Sequence, residues 1–170
     1  KTLVHGDDFV TTGSREGMEW FKQRLAGRFQ IKSQTIGNGA GEVSEGKVLN
    51  RIIRRTPGGW EYEADQRHVD ILVNQMNLQD ANSVKSPGED EKPWREVEEA
   101  QKLDARESRE FRGMAARANY LAADRPDAQY SVKELCRSMA SPARGDVRKL
   151  RRLVRYLKGA PRLIWHYESQ

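Results

Sequence analysis

The hydrophobic periodicity differs between the two halves of this chain, and the difference limits the folds that the chain can adopt. Before residue 83, short β-prone runs alternate around turn residues. After residue 105, apolar residues recur at helical spacing. The intervening residues 83–105 carry the prolines and acids of an exposed linker. The pattern predicts an α+β fold, with β-hairpins and short helices first and a helical subdomain after the linker.

Turn and capping residues mark the elements of the first half. We expect, in chain order, a hairpin over residues 1–13, a helix over 15–27 capped by Ser14, a strand over 28–36, one hairpin over 47–64 with its turn at Pro57–Gly59, and a helix over 66–76 capped by Asp65. The apolar residues of this last helix share one face, which predicts that the helix packs against a core.

The second half is predicted to hold three helices, over residues 108–123, 127–139 and 145–159. The third helix has an apolar stripe of the kind that packs on other helices: Val147, Leu150, Leu153, Val154 and Leu157. The run RLIWHY, residues 162–167, alternates as a strand. We expect this strand to have no pairing partner within the chain.

The composition indicates the size of the core and the cellular environment of the protein. The chain has 170 residues, of which 36% are hydrophobic and 32% charged, enough for one core or two small subdomains. No apolar run approaches the length of a membrane span, so we expect no membrane partner. The single cysteine, Cys136, cannot form an internal disulfide, and a reducing, intracellular setting is therefore expected.

Positive charge is concentrated near the end of the chain. The net charge is +5, but residues 137–162 alone carry nine Lys or Arg against one acid. Such a density favours a polyanionic partner such as nucleic acid. The third helix holds six of these cations: Arg148, Lys149, Arg151, Arg152, Arg155 and Lys158. They form either a phosphate-binding face or a solvated one.

Two adjacent carboxylates, Asp7 and Asp8, follow a glycine between two β-prone runs. Like charges side by side oppose each other's ionisation, so the pair needs an explanation. Gly6–Asp7 is compatible with an ordinary hairpin turn. The alternative is a hairpin tip that holds a divalent metal, because Mg²⁺ is bound by one or two carboxylates together with substrate phosphates.

Six short motifs occur in an order that resembles the reverse transcriptase of copia-type retrotransposons. They are HGDD at His5–Asp8, VLNRIIRRTPGGW from Val48, FRGMAARANYL at Phe111–Leu121, RPDA at Arg125–Ala128 with Tyr130, the segment Leu135–Pro142, and RYLKGA at Arg155–Ala160 followed by Leu163. The resemblance runs nearly end to end. HGDDF is also similar to the Gly-Asp-Asp motif of viral RNA-dependent RNA polymerases, but the later motifs favour the retrotransposon family.

This resemblance implies part of a right-hand polymerase. Residues 1–82 would form the second half of the palm, 83–105 an acidic linker, 106–160 a helical thumb or connection, and 161–170 a strand leading toward an RNase H domain. The fingers and the first half of the palm would lie upstream of Lys1. The chain would then be a segment of a longer Pol polyprotein.

The resemblance also implies a catalytic and metal-binding role for Asp7 and Asp8, with Mg²⁺ or Mn²⁺ as cofactor. Two cations would serve nucleotidyl transfer at the primer terminus. His5 stands where the family has an aromatic residue, and the third carboxylate of the family's site is not matched in this sequence. The isolated chain is therefore expected to be inactive.

Nucleic-acid contacts are implied at two further places. Leu49 and Asn50 fall where the family has a primer-grip strand pair, with a plain hairpin as the alternative. Ala116 and Tyr120 fall on the helix that resembles the thumb helix in the duplex minor groove, with core packing as the alternative for both residues.

The sequence thus predicts a fragment of an RNA-directed DNA polymerase. Its partners would be an RNA/DNA primer-template, deoxynucleoside triphosphates in the full-length enzyme, and the rest of the polyprotein, namely fingers, RNase H and integrase. Its expected location is the cytoplasm, in a virus-like particle, or the nucleus. The alternative is a non-enzymatic nucleic-acid-binding module derived from a decayed retroelement.

Overall fold

A computed structural model of the protein describes residues 1–89 and 100–169. Within these ranges the chain is mixed α+β, as predicted, with two antiparallel sheets and five helices. The elements are β1 Thr2–His5, β2 Asp8–Thr11, α1 Arg15–Ala26, β3 Glu45–Val48, β4 Arg51–Thr56, β5 Gly59–Glu63, α2 Arg67–Gln75, α3 Ala105–Ala122, α4 Pro126–Arg137, α5 Arg144–Gly159 and β6 Ile164–Glu168. None of the helices in these ranges is long and apolar enough to cross a membrane.

The chain divides into two compact units. The hairpin unit comprises residues 1–62 and the chain end from His166, and the helical unit comprises Glu63–Trp165. Helix α2 is predicted to belong with residues 1–82, but it packs in the helical unit against α3 and α5. The polymerase subdomains predicted for residues 1–82, 83–105, 106–160 and 161–170 stay predictions, and residues 90–99 of the acidic linker lie outside the described residues.

The first hairpin forms where the Gly-Asp turn predicted it. Strands β1 and β2 pair antiparallel, with His5 opposite Asp8. Of the two turn residues only Gly6 has a positive φ, 63°, which is the requirement of a type II′ turn. Helix α1 follows at once, and the Ser14 hydroxyl accepts a 3.2 Å hydrogen bond from the Gly17 amide as its N-cap.

The second sheet has the strand order β3-β4-β5-β6. The sequence predicted one hairpin here, and the structure has two. The β3–β4 turn is formed by Leu49 and Asn50, with φ of 47° and 66°. Leucine is not a typical turn residue, so sequence reasoning did not find this turn. The predicted turn at Pro57–Gly58 connects β4 to β5.

Two strand predictions are wrong. Residues 28–36 form no strand; Ile36 makes a single isolated bridge to Val43, and Phe29 is 63% exposed. Alternating apolar and polar residues are not sufficient for a strand, because a strand also needs a neighbouring strand to pair with. The C-terminal strand β6, predicted to lack a partner, instead pairs with β5. The free edge of β5 lies about a hundred residues earlier in the chain, so local sequence could not reveal the pairing.

The helical unit contains the hydrophobic core that the periodicity predicted. Helix α2 contributes Val69, Leu72 and Met76, and the predicted stripe of α5 contributes Leu150, Leu153, Val154 and Leu157. The core also includes residues of α3 and α4: Phe111, Ala115, Ala118, Leu121, Ala122, Ala128, Val132 and Leu135. Helix α3 begins at a capping box in which Asp104 and Glu107 each accept a hydrogen bond from the other's amide.

A buried arginine connects α4 to the end of α5. The Arg125 side chain is 1% exposed and makes two hydrogen bonds to the Asp127 carboxylate, at 2.9 and 2.7 Å. It also donates to the Ala160 carbonyl at 2.9 Å, and the Tyr156 hydroxyl donates to Asp127 at 2.8 Å. The RPD motif and the tyrosine of RYLKG therefore have a structural role: they satisfy one another inside the helical unit.

Candidate nucleotidyl-transfer and nucleic-acid sites

The predicted catalytic carboxylates lie at the tip of the first hairpin. Asp7 is the second turn residue and Asp8 is the first residue of β2. Both side chains are exposed, and neither carboxylate makes a hydrogen bond or an ion pair with the part of the chain that the structure describes. The two carboxylates therefore do not stabilise the hairpin through side-chain contacts, and both are accessible to a ligand.

The side chains around this tip do not complete a metal cage. Among residues 1–89 and 100–169, no group of three or more His, Cys, Asp or Glu side chains is placed to hold a metal ion. His5 is directly opposite Asp8 in the hairpin register. Two carboxylates fit the part of a Mg²⁺ site that a protein commonly supplies when substrate phosphates and water supply the rest.

The two primer-grip-like residues lie at a hairpin tip and not along a strand. Leu49 is half-buried and Asn50 is exposed, and both adopt the left-handed region. A leucine in this region is uncommon and costs free energy, since its Cβ crowds the backbone. Two consecutive positive φ angles define a type I′ turn, which suits the twist of a tight hairpin. The primer-grip role of these residues stays a prediction.

The predicted groove-contacting residues share an exposed face of α3. Ala116 and Tyr120 are both exposed, so the core-packing alternative for Tyr120 is not what the structure has. Gly113 lies one turn before Ala116, and a Cβ added there would meet nothing within 4 Å. Arg109 and Arg112 are exposed one turn nearer the N-terminus. Sequence reasoning missed the glycine and the arginines, although their spacing of three and four residues was the available signal.

Tyr120 is oriented by neighbours on α2 and α3. Its ring lies 4.8 Å from the His68 ring, centroid to centroid, at an angle of 53°. His68 Nδ1 is 3.2 Å from Arg117 Nη1. Asp65 accepts hydrogen bonds from the Arg67 guanidinium at 2.7 and 3.0 Å, and mainly for that reason the pKa of Asp65 is lowered. The predicted structural role of His68 therefore includes supporting Tyr120.

The basic face of α5 is largely engaged by residues 79–89 of the same unit. Arg148 pairs with the Glu89 carboxylate. Arg152 lies 3.3 Å from the same carboxylate, donates to the Gly88 carbonyl at 2.8 Å, and donates to the Ser86 hydroxyl at 3.0 Å. One acidic residue of the predicted linker thus bridges two of the cations that were predicted to bind phosphate.

The other cations of α5 differ in their exposure and in the groups they contact. Arg155 donates to the Asn82 carbonyl at 2.6 Å, and Lys158 donates to the carbonyls of Gln79 and Ala81. Lys149 is half-buried and Arg151 is exposed. A phosphate at this face would compete with residues 79–89 for most of the cations, a feature that the sequence did not reveal.

Known proteins of Arabidopsis thaliana are similar to the chain over nearly its whole length. The retrovirus-related Pol polyproteins from transposons RE1 and RE2 are each 31% identical to it over 160 residues, which is 94% of this chain and 10% of each polyprotein. The uncharacterized mitochondrial protein AtMg00810 is 25% identical over 157 residues, which is 92% of this chain and 60% of that protein. No family model matches the chain. No solved structure matches it either.

These similarities connect the chain to proteins of mobile elements. The chain is similar to a segment of the retrovirus-related Pol polyproteins of transposons, and the predicted resemblance to the copia-type retrotransposon family is confirmed. It spans about a tenth of the length of the two polyproteins.

Proposed function

We propose that this chain is a segment of an RNA-directed DNA polymerase, contributing carboxylates to a two-metal site and a helical subdomain that holds the primer-template. The observation that carries the proposal is the placement of Asp7 and Asp8 at the tip of a tight hairpin in a relative of transposon Pol polyproteins. A strand–turn–strand tip fixes the backbone of both residues, and metal-dependent nucleotidyl transfer needs carboxylates held in defined positions.

The metal proposed for this tip is Mg²⁺ or Mn²⁺, with Asp7 as the principal ligand and Asp8 as an assisting carboxylate. Their oxygen donors match the preference of these hard cations. When bound, such ions activate the attacking hydroxyl and neutralise the triphosphate. A bound dication would also offset the mutual repulsion of the two carboxylates. Because the described residues contain no third ligand nearby, the proposed site is incomplete in this chain and the isolated chain is expected not to polymerise.

The exposed face of α3 supports a role in holding the nucleic-acid duplex. Small side chains at Gly113 and Ala116 let the helix backbone approach a groove, and the exposed Arg109 and Arg112 add positive charge beside this surface, although Arg112 also donates to the Met139 carbonyl at 3.4 Å. Tyr120 adds a flat surface supported by His68. Shape and charge of this kind suit contact with the sugar-phosphate backbone, without reading of the base sequence.

A second candidate is a nucleic-acid-binding module without chemistry. It is favoured by the absence of a three-ligand metal group among residues 1–89 and 100–169. Both candidates predict binding to duplex or RNA–DNA hybrid, and they differ in whether Asp7 binds a divalent cation.

Binding of an RNA–DNA hybrid tests the nucleic-acid-binding role that both candidate functions share. Ala116→Glu places bulk and negative charge in the proposed groove-facing surface, so its affinity for a short RNA–DNA hybrid should fall at least about tenfold, which corresponds to about 1.4 kcal/mol. The control is Ala105→Glu, at the exposed first position of the same helix, where an acid suits the helix dipole. Fluorescence anisotropy at low salt measures both variants. Equal affinity of the two variants would contradict the role proposed for α3.

A further inference from the structure

The sheet of the hairpin unit has two chemically different faces. On one face, Arg54 pairs with Glu45 and lies 3.8 Å from Glu61. The His166 ring lies 3.5 Å from the same Glu61 carboxylate. Because side chains alternate along a strand, Glu168 of β6 falls on this face as well. We call this face the ionic face. It carries the acidic strand residues that belong to the hairpin unit: Glu45, Glu61 and Glu168.

The opposite face brings aromatic residues and arginine together. The Ser169 amide donates to the Gly58 carbonyl at 2.9 Å, and His166 contacts Glu61, so β5 and β6 run antiparallel with Trp60 across from Tyr167. The Arg55 guanidinium lies 5.4 Å from the centroid of the Trp60 ring, which places Arg55 on the same face. We call Arg55, Trp60 and Tyr167 the aromatic–arginine face.

This face is open and its arginine is held in position. Trp60 is 38% exposed and Tyr167 is 57% exposed. The Arg55 guanidinium donates to the Thr56 carbonyl at 3.0 Å and to the Gly59 carbonyl, and lies 3.3 Å from the Ser169 hydroxyl. A cation fixed beside the Trp60 ring, with the Tyr167 ring on the same face and the strand carboxylates on the other, is complementary to an anionic ligand that carries flat bases.

We infer that the aromatic–arginine face binds single-stranded nucleic acid by stacking bases on Trp60 and Tyr167, with Arg55 contributing charge. A duplex hides the faces of its bases, whereas a single strand exposes them. Stacking of this kind tolerates any base sequence. The inference rests on the proposed function, which it extends from the duplex to an unpaired part of the nucleic acid.

The experiment compares three probes on the full chain: a labelled oligothymidine, an abasic strand of the same length and charge, and a short RNA–DNA hybrid. The variants are Trp60→Ala and Tyr167→Ala, with Trp60→Phe retaining a ring. Trp20→Ala is the matched control, because Trp20 is 60% exposed and has Arg24 at 5.6 Å from its ring centroid, but lies on α1.

Each alanine variant at the face should weaken oligothymidine binding about tenfold, within the range found for the loss of one stacked base. Trp60→Phe should retain most of the affinity, and Trp20→Ala should match the unmodified chain. Binding of the abasic strand should be weak and unchanged in every variant, since it carries the charge without the rings.

Two results would overturn the inference: equal losses for Trp60→Ala and Trp20→Ala, or an equal loss for the abasic strand and oligothymidine. If the hybrid binds through α3 and the affinity for oligothymidine is unchanged by Trp60→Ala and Tyr167→Ala, the inference fails and the proposed function stands. If hybrid binding fails and oligothymidine binding depends on Trp60, the inference stands alone. Circular dichroism confirms that each variant is folded.

Discussion

The hairpin unit and the helical unit differ in how the chain supports their functional residues. In the helical unit, sixteen hydrophobic residues form one buried core, and the motif residues Arg125, Asp127 and Tyr156 satisfy each other within it. In the hairpin unit, β1 and α1 contain no buried residue, and Asp7 and Asp8 lie at an exposed tip. The RPD motif therefore has a structural explanation in the helical unit, whereas the Asp7–Asp8 pair has no such explanation in the hairpin unit.

A residue can belong to a motif because the fold needs it or because the chemistry of a site needs it. Arg125 is needed for the fold, because a buried guanidinium must find its hydrogen bonds. The Asp7–Asp8 pair is not needed for the turn, since Gly6 supplies the positive φ and one aspartate would suffice. We propose metal binding as the reason for the second carboxylate, and the proposed metal site is therefore at this hairpin.

The largest expected effect comes from the buried arginine. Arg125→Ala leaves the Asp127 carboxylate without its charge partner inside the helical unit, and should lower the free energy of unfolding by about 3–5 kcal/mol. Arg106→Ala is the control, since Arg106 is exposed and makes only an i,i+4 pair with Glu110, worth less than about 0.5 kcal/mol. Urea unfolding followed by circular dichroism measures both. Similar losses would remove the structural explanation of the RPD motif.

A smaller effect is expected in the hairpin unit from Gly59→Ala. Gly59 has a φ of 151°, and a Cβ there would collide with the Tyr167 carbonyl of β6. Backbone strain of this kind costs about 1–3 kcal/mol, so the substitution should weaken the pairing of β5 with β6. The matched control is Gly58→Ala, where a Cβ meets nothing within 4 Å. Amide hydrogen exchange at β6 should accelerate only in the Gly59 variant; protection that survives in both would contradict the β5–β6 pairing.

Acid should act on the helical unit through Asp127. Burial alone would raise the pKa of this carboxyl, but hydrogen bonds from Arg125 and Tyr156 outweigh it and lower the pKa. A lowered folded-state pKa adds stability above the ordinary value near 3.8, and this stability is lost as the pH falls toward the folded-state pKa. Unfolding in urea should therefore become easier below about pH 4. Asp127→Asn should flatten this acid dependence, and an unchanged dependence would contradict the role of the network.

The smallest stability effect is expected from Glu89→Gln. The Glu89 pairs with Arg148 and Arg152 are partly exposed, so their loss should cost less than about 1 kcal/mol. The same substitution should strengthen binding to an RNA–DNA hybrid, because two arginines of α5 lose an internal carboxylate. Glu110→Gln on α3 is the control. If hybrid affinity is unchanged by Glu89→Gln, the basic face of α5 does not take part in binding.

The sequence predicted the structural features that depend on neighbouring residues, and it did not predict contacts between residues that are distant in the chain. The Gly6–Asp7 turn and the apolar stripe of α5 carry their own local signals, and both are found in the structure. The β3–β4 turn was missed because Leu49 does not resemble a turn residue. The pairing of β6 and the contacts of Glu89 were missed because they join segments about sixty to a hundred residues apart. The candidate site residues were predicted from motifs and, in α5, from the density of positive charge, and only the structure revealed that most cations of α5 are already engaged.

The most direct test of the proposed function is divalent-metal binding at the first hairpin. Titration of the chain with Mn²⁺, followed by electron paramagnetic resonance, measures its affinity, and paramagnetic broadening of amide signals locates the ion. Asp7→Asn should weaken Mn²⁺ binding at least about tenfold, a loss of about 1.4 kcal/mol, and should remove the broadening at Gly6–Phe9. Asp70→Asn, which removes an exposed carboxylate on α2, should change neither. Equal Mn²⁺ affinity in the two variants, or broadening away from the hairpin tip, would contradict the account.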